Sequence, residues 1–303
     1  MADVPNVLAR SKDQSLLFYI FGSPVTMSPS PDIHNAGFAE NGFLHRYERC
    51  DADIGPVLDR VREDSCGGGS VTIPHKEAVV PHMDELGDAA RVIGAVNTIT
   101  KLVDNKLRGD NTDWIGIEKQ IQSRLTSATQ DGLVCLLCGA GGTARAAAYA
   151  LKHMGASRVM IYNRTKERAE TLAKEFGFEA LADLGDLAAL DQLHIIVDTL
   201  PGATEFTLPD LTLLQRCKPV VLEAAYIPRQ TAFVKQALEA GCEVIEGVEM
   251  LFEQGCAQCE IWTGLPAPRA KIAAALLDAL FTEDSQHPAR PKMQPIDVLP
   301  TSL

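Results

Sequence analysis

The chain has 303 residues, of which 46% are hydrophobic and 22% charged, and its formal net charge at pH 7 is −12. This length suggests about two domains with cores that need neither disulfides nor structural metals. The acidic balance argues against a protein that coats nucleic acid or an anionic membrane, and no apolar stretch reaches the roughly 20 residues that cross a bilayer. The N-terminus shows no secretory signal, so we expect a cytoplasmic protein.

Short apolar strands alternate with helical patterns through the first third of the chain. We expect, in order, a strand at 16–22, a helix at 33–41, a strand around Tyr47, a helix at 57–62 and a glycine-rich strand at 67–73. Pro74 ends that last strand, and the pattern after it predicts a helix that begins at Lys76. The alternation predicts an α/β domain with a mostly parallel sheet flanked by helices.

The middle third continues the alternation more clearly. We expect strands at 133–137, 157–162, 194–197 and 219–222, with helices at 145–154 and 166–176. This order predicts a doubly wound α/β unit from about 113 to 250. Two further helical patterns, at 250–262 and 270–281, could pack back on the first domain, and the proline-rich stretch 283–303 predicts a mobile tail.

Two CxxC pairs occur among the eight cysteines, Cys135 with Cys138 and Cys256 with Cys259. A zinc site needs four converging ligands, and these pairs lie about 120 residues apart within apolar segments. We therefore expect buried free thiols and no metal, which is typical of a protein from a reducing compartment.

A glycine-rich turn joins the strand at 133–137 to the helix that follows. It satisfies the G-x-G-x-x-G/A form of a dinucleotide-binding turn in the required strand-to-helix setting. The glycines permit a tight turn and close approach of backbone amides to a pyrophosphate, and the helix N-terminus adds partial positive charge. The candidate cofactor-binding residues are Gly139, Ala140, Gly141, Gly142, Thr143 and Ala144.

The turn after the next strand indicates which dinucleotide binds. An NAD site normally has an acidic residue there, which accepts hydrogen bonds from the ribose. This chain has Asn163, Arg164, Thr165 and Arg168 instead. Arginines can bind a 2′-phosphate that a carboxylate would repel, so the turn favours NADP over NAD.

Three separate segments of the first third carry groups for ketone chemistry. Ser70–Lys76 supplies hydroxyls and an ammonium, Gly94–Ile99 an amide, and Gly109–Gly116 a carboxylate. Tyr162 and Lys166 have the Tyr-x-x-x-Lys spacing of another dehydrogenase class, but they flank the nucleotide-selecting turn and are too far from the nicotinamide end to act there.

Taken in order, these motifs resemble the shikimate dehydrogenase family, most closely the shikimate dehydrogenase domain of the fungal pentafunctional arom polypeptide. The resemblance spans about Phe21 to Phe281. It implies a substrate-binding and catalytic domain over 1–112, completed by helices from 252–282, and a Rossmann NADP-binding domain over 113–251. It also implies reversible NADPH-dependent reduction of 3-dehydroshikimate to shikimate.

The same resemblance implies roles for individual residues. Lys76 matches the catalytic lysine and Asp113 the aspartate paired with it. From the residues alone, Lys76 could also be a surface lysine and Asp113 a helix cap. The residues implied to bind substrate are Ser28 and Ser30 for the carboxylate, Thr72, Asn97 and Gln254 for the ring hydroxyls, and Tyr226 near the nicotinamide side of the cleft.

Some positions depart from the family pattern. Met27 stands where the family usually has histidine, Pro29 lies between the two serines, and His75, expected to face solvent, is an unusual neighbour of the lysine. Two other functions therefore stay open: a quinate or dual quinate/shikimate dehydrogenase, and a non-catalytic sensor of pathway metabolites. We expect a small-molecule substrate, no nucleic-acid or membrane partner, and a monomer or homodimer.

Overall fold

The computed structural model describes residues 7–125 and 132–281, so the predicted tail at 283–303 lies outside the described residues. The chain divides into two compact units. Among the described residues, the first unit contains 7–112 together with 254–281, and the second contains 113–125 together with 132–253.

The described residues contain twelve strands and ten α-helices. The strands are β1 Leu17–Gly22, β2 Arg46–Asp51, β3 Cys66–Val71, β4 Glu85–Leu86, β5 Thr98–Lys101, β6 Leu107–Asp110, β7 Val134–Cys138, β8 Arg158–Tyr162, β9 Glu179–Ala180, β10 Ile195–Asp198, β11 Val220–Glu223 and β12 Glu243–Ile245. The helices are α1 Ser30–Glu40, α2 Ile54–Arg62, α3 Asp88–Ile93, α4 Asp113–Gln122, α5 Gly142–His153, α6 Lys166–Phe176, α7 Leu211–Cys217, α8 Ala232–Glu239, α9 Gly247–Thr263 and α10 Arg269–Phe281.

The first unit contains a mixed six-stranded sheet in the order β2-β1-β3-β5-β6-β4. β1 is parallel to β2 and β3, whereas β5 is antiparallel to both of its neighbours. The strands β1, β2 and β3 therefore end at the same sheet edge at which β5 begins and β6 ends. Every loop at that edge can contribute side chains to one site.

A late segment of the chain completes the core of this unit. The ring of Trp262 in α9 lies 5.0 Å from that of Phe18 in β1, which in turn lies 5.0 Å from Phe38 in α1. The indole N–H of Trp262 donates to the carbonyl oxygen of Ile99 at 3.2 Å, so this large side chain is buried with its polar atom satisfied.

The loop after β3 differs from the sequence prediction in two respects. No α-helix begins at Lys76; the chain forms hydrogen-bonded turns and then a single 3-10 turn at Val80–His82. Pro81 has no N–H to continue a helix, which accounts for the difference. His75 was expected to face solvent but is buried, and its Nε2 lies 2.7 Å from the carbonyl oxygen of Ala52.

The second unit contains a parallel six-stranded sheet in the order β12-β11-β10-β7-β8-β9. Helices alternate with its strands, so the predicted doubly wound Rossmann arrangement is confirmed. The central strands β7, β10 and β11 are almost entirely apolar and buried, as expected for parallel strands covered on both faces.

The four cysteines of the CxxC pairs are all buried and unpaired. Burial raises the pKa of Cys135 to about 12 and that of Cys259 to about 11, so these thiols stay protonated and act as small apolar side chains. Within residues 7–125 and 132–281, no helix combines the length and the apolar character that crossing a membrane requires.

Candidate functional site

The serine loop after β1 carries the two predicted carboxylate ligands. Ser28 and Ser30 are buried, and their Oγ atoms lie 3.0 Å apart. Ser30 is the first residue of α1, three residues before the predicted start, so both hydroxyls lie at a helix N-terminus, where an anion is favoured.

A cation supports this loop from β2. The Nη2 and Nε atoms of Arg49 donate to the carbonyl oxygen of Ser28 at 2.6 and 3.1 Å, and Arg49 lies 3.7 Å from the Asp32 carboxylate. Arg49 therefore fixes the loop and adds positive charge beside the two hydroxyls. The sequence analysis missed this residue.

Asn97, the amide predicted to hold substrate hydroxyls, lies directly before β5. The Asn97 Nδ2 donates to Thr112 Oγ1 at 2.9 Å and to Gln254 Oε1 at 3.2 Å, while its Oδ1 accepts from the Thr112 N–H at 2.7 Å. These three side chains are buried. The structure thus brings Asn97 and Gln254, which are 157 residues apart, into direct contact.

Thr72 and Lys76 follow β3 at the same sheet edge. The Thr72 N–H donates to Phe21 O at 2.8 Å, and the Lys76 carbonyl accepts from Val96 N at 2.8 Å. Both side chains are half-buried. The loop that carries Lys76 is therefore fixed by backbone bonds to β1 and to the segment before Asn97.

A group of buried polar residues beneath this edge was not predicted. Gln258 of α9 donates from Nε2 to Asn97 O at 3.0 Å and to Thr98 Oγ1 at 2.9 Å, and its Oε1 accepts from Ser70 Oγ at 2.8 Å. The Tyr47 hydroxyl lies 2.6 Å from Ser70 Oγ. One signal was available, because Gln258 lies four residues after Gln254 on the same helix face.

In the second unit, the glycine-rich turn has the local geometry that a pyrophosphate requires. Gly139 has φ +112, and a Cβ there would lie 2.3 Å from Thr199 Oγ1, so only glycine fits. A Cβ on Gly141 would meet no atom within 4 Å, which leaves open space in front of the first turn of α5. Ala144 is buried against the sheet. These residues fit a bound dinucleotide.

The turn after β8 and the start of α6 carry two arginines, one exposed and one hydrogen-bonded to the glycine-rich turn. Arg164 is exposed and has no hydrogen bond or ion pair with any residue in the described ranges. Arg168 donates from Nη2 to the carbonyl oxygen of Ala140 at 3.0 Å, so it joins this turn to the glycine-rich turn. Asn163 donates to Thr165 O at 2.9 Å, and Thr165 precedes α6 as its cap position. The residue directly after β8 is Asn163 and not the acidic residue typical of an NAD site, which is consistent with a 2′-phosphate site.

Two other predicted residues also belong to the second unit. Asp113 is buried and is the first residue of α4, directly after Thr112 in the chain. Tyr226 is half-buried in the loop that follows β11.

A carboxyl pair at the ends of two neighbouring strands was not predicted. Asp198 ends β10 and Glu223 ends β11, in register with each other, and both are buried. Asp198 accepts from Leu200 N at 2.9 Å; Glu223 accepts from Ala225 N at 3.0 Å and from Thr231 Oγ1 at 2.7 Å.

The fold, the polar residues at the edge of the first sheet and the two turns of the second unit together define a class of enzyme. A Rossmann unit with an open glycine-rich turn, joined to an α/β unit that presents hydroxyls, amides and a lysine at one sheet edge, is the construction of a dinucleotide-dependent dehydrogenase.

Comparison with known proteins identifies the family of dehydrogenases to which the chain belongs. Residues 20–99 match the shikimate dehydrogenase substrate binding domain, residues 120–209 match shikimate / quinate 5-dehydrogenase, and residues 247–277 match the shikimate 5'-dehydrogenase C-terminal domain. The chain therefore belongs to the shikimate dehydrogenase family, as its motifs predicted.

Three relatives illustrate the similarity. A pentafunctional AROM polypeptide from Zygosaccharomyces rouxii is 36% identical over 277 residues, which cover 86% of this chain but 17% of that protein. Shikimate 5-dehydrogenase from Thermus thermophilus, solved with NADP(H) and shikimate, is 31% identical with a TM-score of 0.75, covering 87% of this chain and 99% of that one. Quinate dehydrogenase from Corynebacterium glutamicum, solved with NAD, is 27% identical with a TM-score of 0.75, covering 88% and 99%.

Proposed function

We propose that this chain is an NADP-dependent shikimate dehydrogenase that reversibly reduces 3-dehydroshikimate to shikimate. The observation that carries the proposal is that two hydrogen-bonded pairs, Ser28 with Ser30 and Asn97 with Gln254, lie in loops at the same edge of the first sheet, although these residues come from three distant parts of the chain. The family's substrate offers a carboxylate for the hydroxyl pair and ring hydroxyls for the amides.

The chain's own residues would manage the proton in this reaction. When bound, the nicotinamide supplies the hydride to the ketone carbon or takes it back. In the reducing direction Lys76 donates a proton to the ketone oxygen as that oxygen gains negative charge, and it recovers the proton in the oxidising direction. Asp113 orients the lysine, Thr72, Asn97 and Gln254 position the ring, and Tyr226 closes the nicotinamide side.

The same proposal assigns NADP as the dinucleotide. The Gly139–Ala144 turn at the start of α5 would receive the pyrophosphate, and the space at Gly141 supports this assignment. Arg164, which has no partner among the described residues, would pair with the 2′-phosphate together with Thr165 and Arg168.

Initial rates of nicotinamide reduction test the proposal directly. Four pairings are compared: shikimate or quinate, each with NADP⁺ or NAD⁺. We expect turnover with shikimate and NADP⁺ to exceed every other pairing by about 100-fold or more in kcat/KM, since each lost charge-assisted contact costs roughly tenfold. A preference for quinate would contradict the proposal and direct attention to Met27 and Pro29 in the serine loop.

The Lys76→Ala variant distinguishes an enzyme from a sensor of pathway metabolites. We expect it to bind shikimate with near-normal affinity in calorimetry and to lose turnover by about 1,000-fold or more. Lys106→Ala, which removes an exposed lysine of the same unit, serves as the control and should keep full activity. Binding of shikimate without turnover by the unsubstituted protein would favour the sensor.

We also propose that the protein acts in the cytoplasm as a monomer or homodimer. Light scattering coupled to size-exclusion chromatography would decide between the two assembly states, and a larger assembly would contradict both.

A further inference from the structure

The loop that carries the lysine, residues 72–76, is joined by its backbone to both neighbours of β3. The bonds are Thr72 N to Phe21 O at 2.8 Å and Ser23 N to Ile73 O at 3.0 Å on the β1 side, and Val96 N to Lys76 O at 2.8 Å on the β5 side. They hold the two ends of the loop. A segment held only at its ends can still rotate about the line that joins them, so its middle needs a further contact to keep one orientation.

The side chain of His75 makes such a contact in the middle of the loop. Its ring is only 5% exposed, and its Nε2 atom lies 2.7 Å from the carbonyl oxygen of Ala52. A carbonyl oxygen can only accept a hydrogen bond, so Nε2 must carry a proton and donate it. The His75 N–H also donates to Thr72 O at 2.9 Å, which joins the ring to the turn of the loop itself. Because Lys76 is the next residue, this contact lies directly beside the lysine.

The partner of His75 belongs to a strand that does not neighbour β3. Ala52 directly follows β2, and β1 lies between β2 and β3 in the sheet. Two strand spacings amount to about 10 Å, which is too far for a backbone hydrogen bond between β2 and β3. A side chain of the length of histidine is therefore required to join the two loops. The Ala52 N–H donates to Gly22 O at 3.3 Å, so the accepting loop is itself attached to the end of β1.

Resting on the proposed function, we propose that His75 is a positioning residue for Lys76: the hydrogen bond from its Nε2–H to Ala52 O fixes the orientation of the loop from which the lysine meets the ketone oxygen. His75 acts through Lys76 and not on the reacting atoms. Catalysis depends steeply on such placement, because a displacement of about 1 Å can cost on the order of 100-fold in rate. The serine pair lies on the loop after β1, so binding of the substrate carboxylate should depend little on this bond.

Two amide substitutions separate the hydrogen bond from the loss of the ring. In His75→Gln the terminal NH₂ can take the place of Nε2 and donate to Ala52 O, whereas the shorter side chain of His75→Asn ends near the position of Nδ1. We expect His75→Asn to lower kcat for shikimate oxidation by about 10- to 100-fold, with KM for shikimate within about threefold and KM for NADP⁺ within about twofold. His75→Gln should keep kcat within about threefold. His82→Asn, which changes an exposed histidine of the same loop, is the control and should alter none of these values.

The comparison of the two variants also decides against a role in packing alone. A ring that only filled space would be missed equally in both, so equal kcat values, whether both reduced or both normal, would overturn the inference. If His75→Asn does not fold, ¹⁵N NMR of the histidines in the unsubstituted protein gives the answer, with His75→Gln used to assign the signal. A proton on Nε2 supports the bond, and a neutral ring protonated only at Nδ1 would overturn it.

Failure of the proposed function has a different signature. If the unsubstituted protein neither binds nor oxidises shikimate, the proposed function fails and the inference about His75 falls with it. Normal turnover by the unsubstituted protein, together with equal activity of His75→Asn and His75→Gln, would refute the inference alone.

Discussion

The carboxyl pair at the ends of β10 and β11 should make the stability of the second unit fall as pH rises. Burial, reinforced by the neighbouring Glu223, raises the pKa of Asp198 to about 8 from an ordinary value of 3.8, and burial raises the pKa of Glu223 as well. Between these two values the unfolded chain releases a proton that the folded chain retains. The free energy of unfolding therefore decreases through this window, is unaffected below it, and stops decreasing above it.

Asp198→Asn should remove most of this dependence. Each unit of pKa shift corresponds to about 1.4 kcal/mol, so at pH 7 the folded state is penalised by at most about 4 kcal/mol through Asp198. The asparagine Oδ1 can keep the bond from Leu200 N, and its Nδ2 can face Glu223. Because the new amide protons need acceptors, we expect about half of the penalty to be recovered: roughly 2 kcal/mol at pH 7, about 3 kcal/mol at pH 8, and about 0.5 kcal/mol at pH 4.5.

Urea unfolding at pH 4.5, 6 and 8 measures the effect, with hydrogen exchange of peptides from β10 and β11 assigning it to the second unit. Asp186→Asn, which neutralises an exposed acid of the same unit, is the matched control and should show no pH-dependent gain. Equal changes at all three pH values, or a loss of stability at pH 8, would refute the reasoning.

Four further substitutions test the cofactor and carboxylate sites. Gly141→Ala should leave the thermal midpoint almost unchanged, because its Cβ meets no atom, yet raise KM for NADP⁺ by about tenfold or more; Gly139→Ala, whose Cβ would overlap Thr199, should instead unfold at lower temperature. Arg164→Gln should raise KM for NADP⁺ by about 10- to 100-fold and leave that for NAD⁺ within about twofold, and an equal effect on both would contradict a 2′-phosphate contact. Arg49→Gln should raise KM for shikimate by about threefold at low salt and less at high salt, because this guanidinium is partly exposed; no change at low salt would exclude an electrostatic role.

The sequence predicted helices and strands well where residues that begin or end them, such as glycine and proline, agree with the apolar periodicity. Helix α6 spans the predicted residues 166–176 without change, and every predicted strand of the second unit is present. The one predicted helix that does not form begins at Lys76, where Pro81 ends the segment before a second turn can form. His75 was misplaced for a related reason, since the turn geometry that buries its ring depends on a contact with Ala52 in another loop.

The buried polar network lay beyond sequence reasoning because no single segment contains it. Tyr47 and Ser70 are separated by 23 residues and Ser70 and Gln258 by 188. Hydroxyl and amide side chains form no recognisable motif until the sheet and α9 bring them together. Asn97 and Gln254 were predicted as ligands through the family resemblance, but their direct contact could be read only from the structure.

The placement of Trp262 has a consequence for how the protein is made on the ribosome. The second unit is contiguous, so all its strands emerge before residue 254 and it can fold while translation continues. The first unit begins earlier but lacks the indole that packs on Phe18 until residue 262 has been synthesised. The residues up to Thr112 are therefore synthesised before their core is complete, and the synthesis of α9 determines when that core can form.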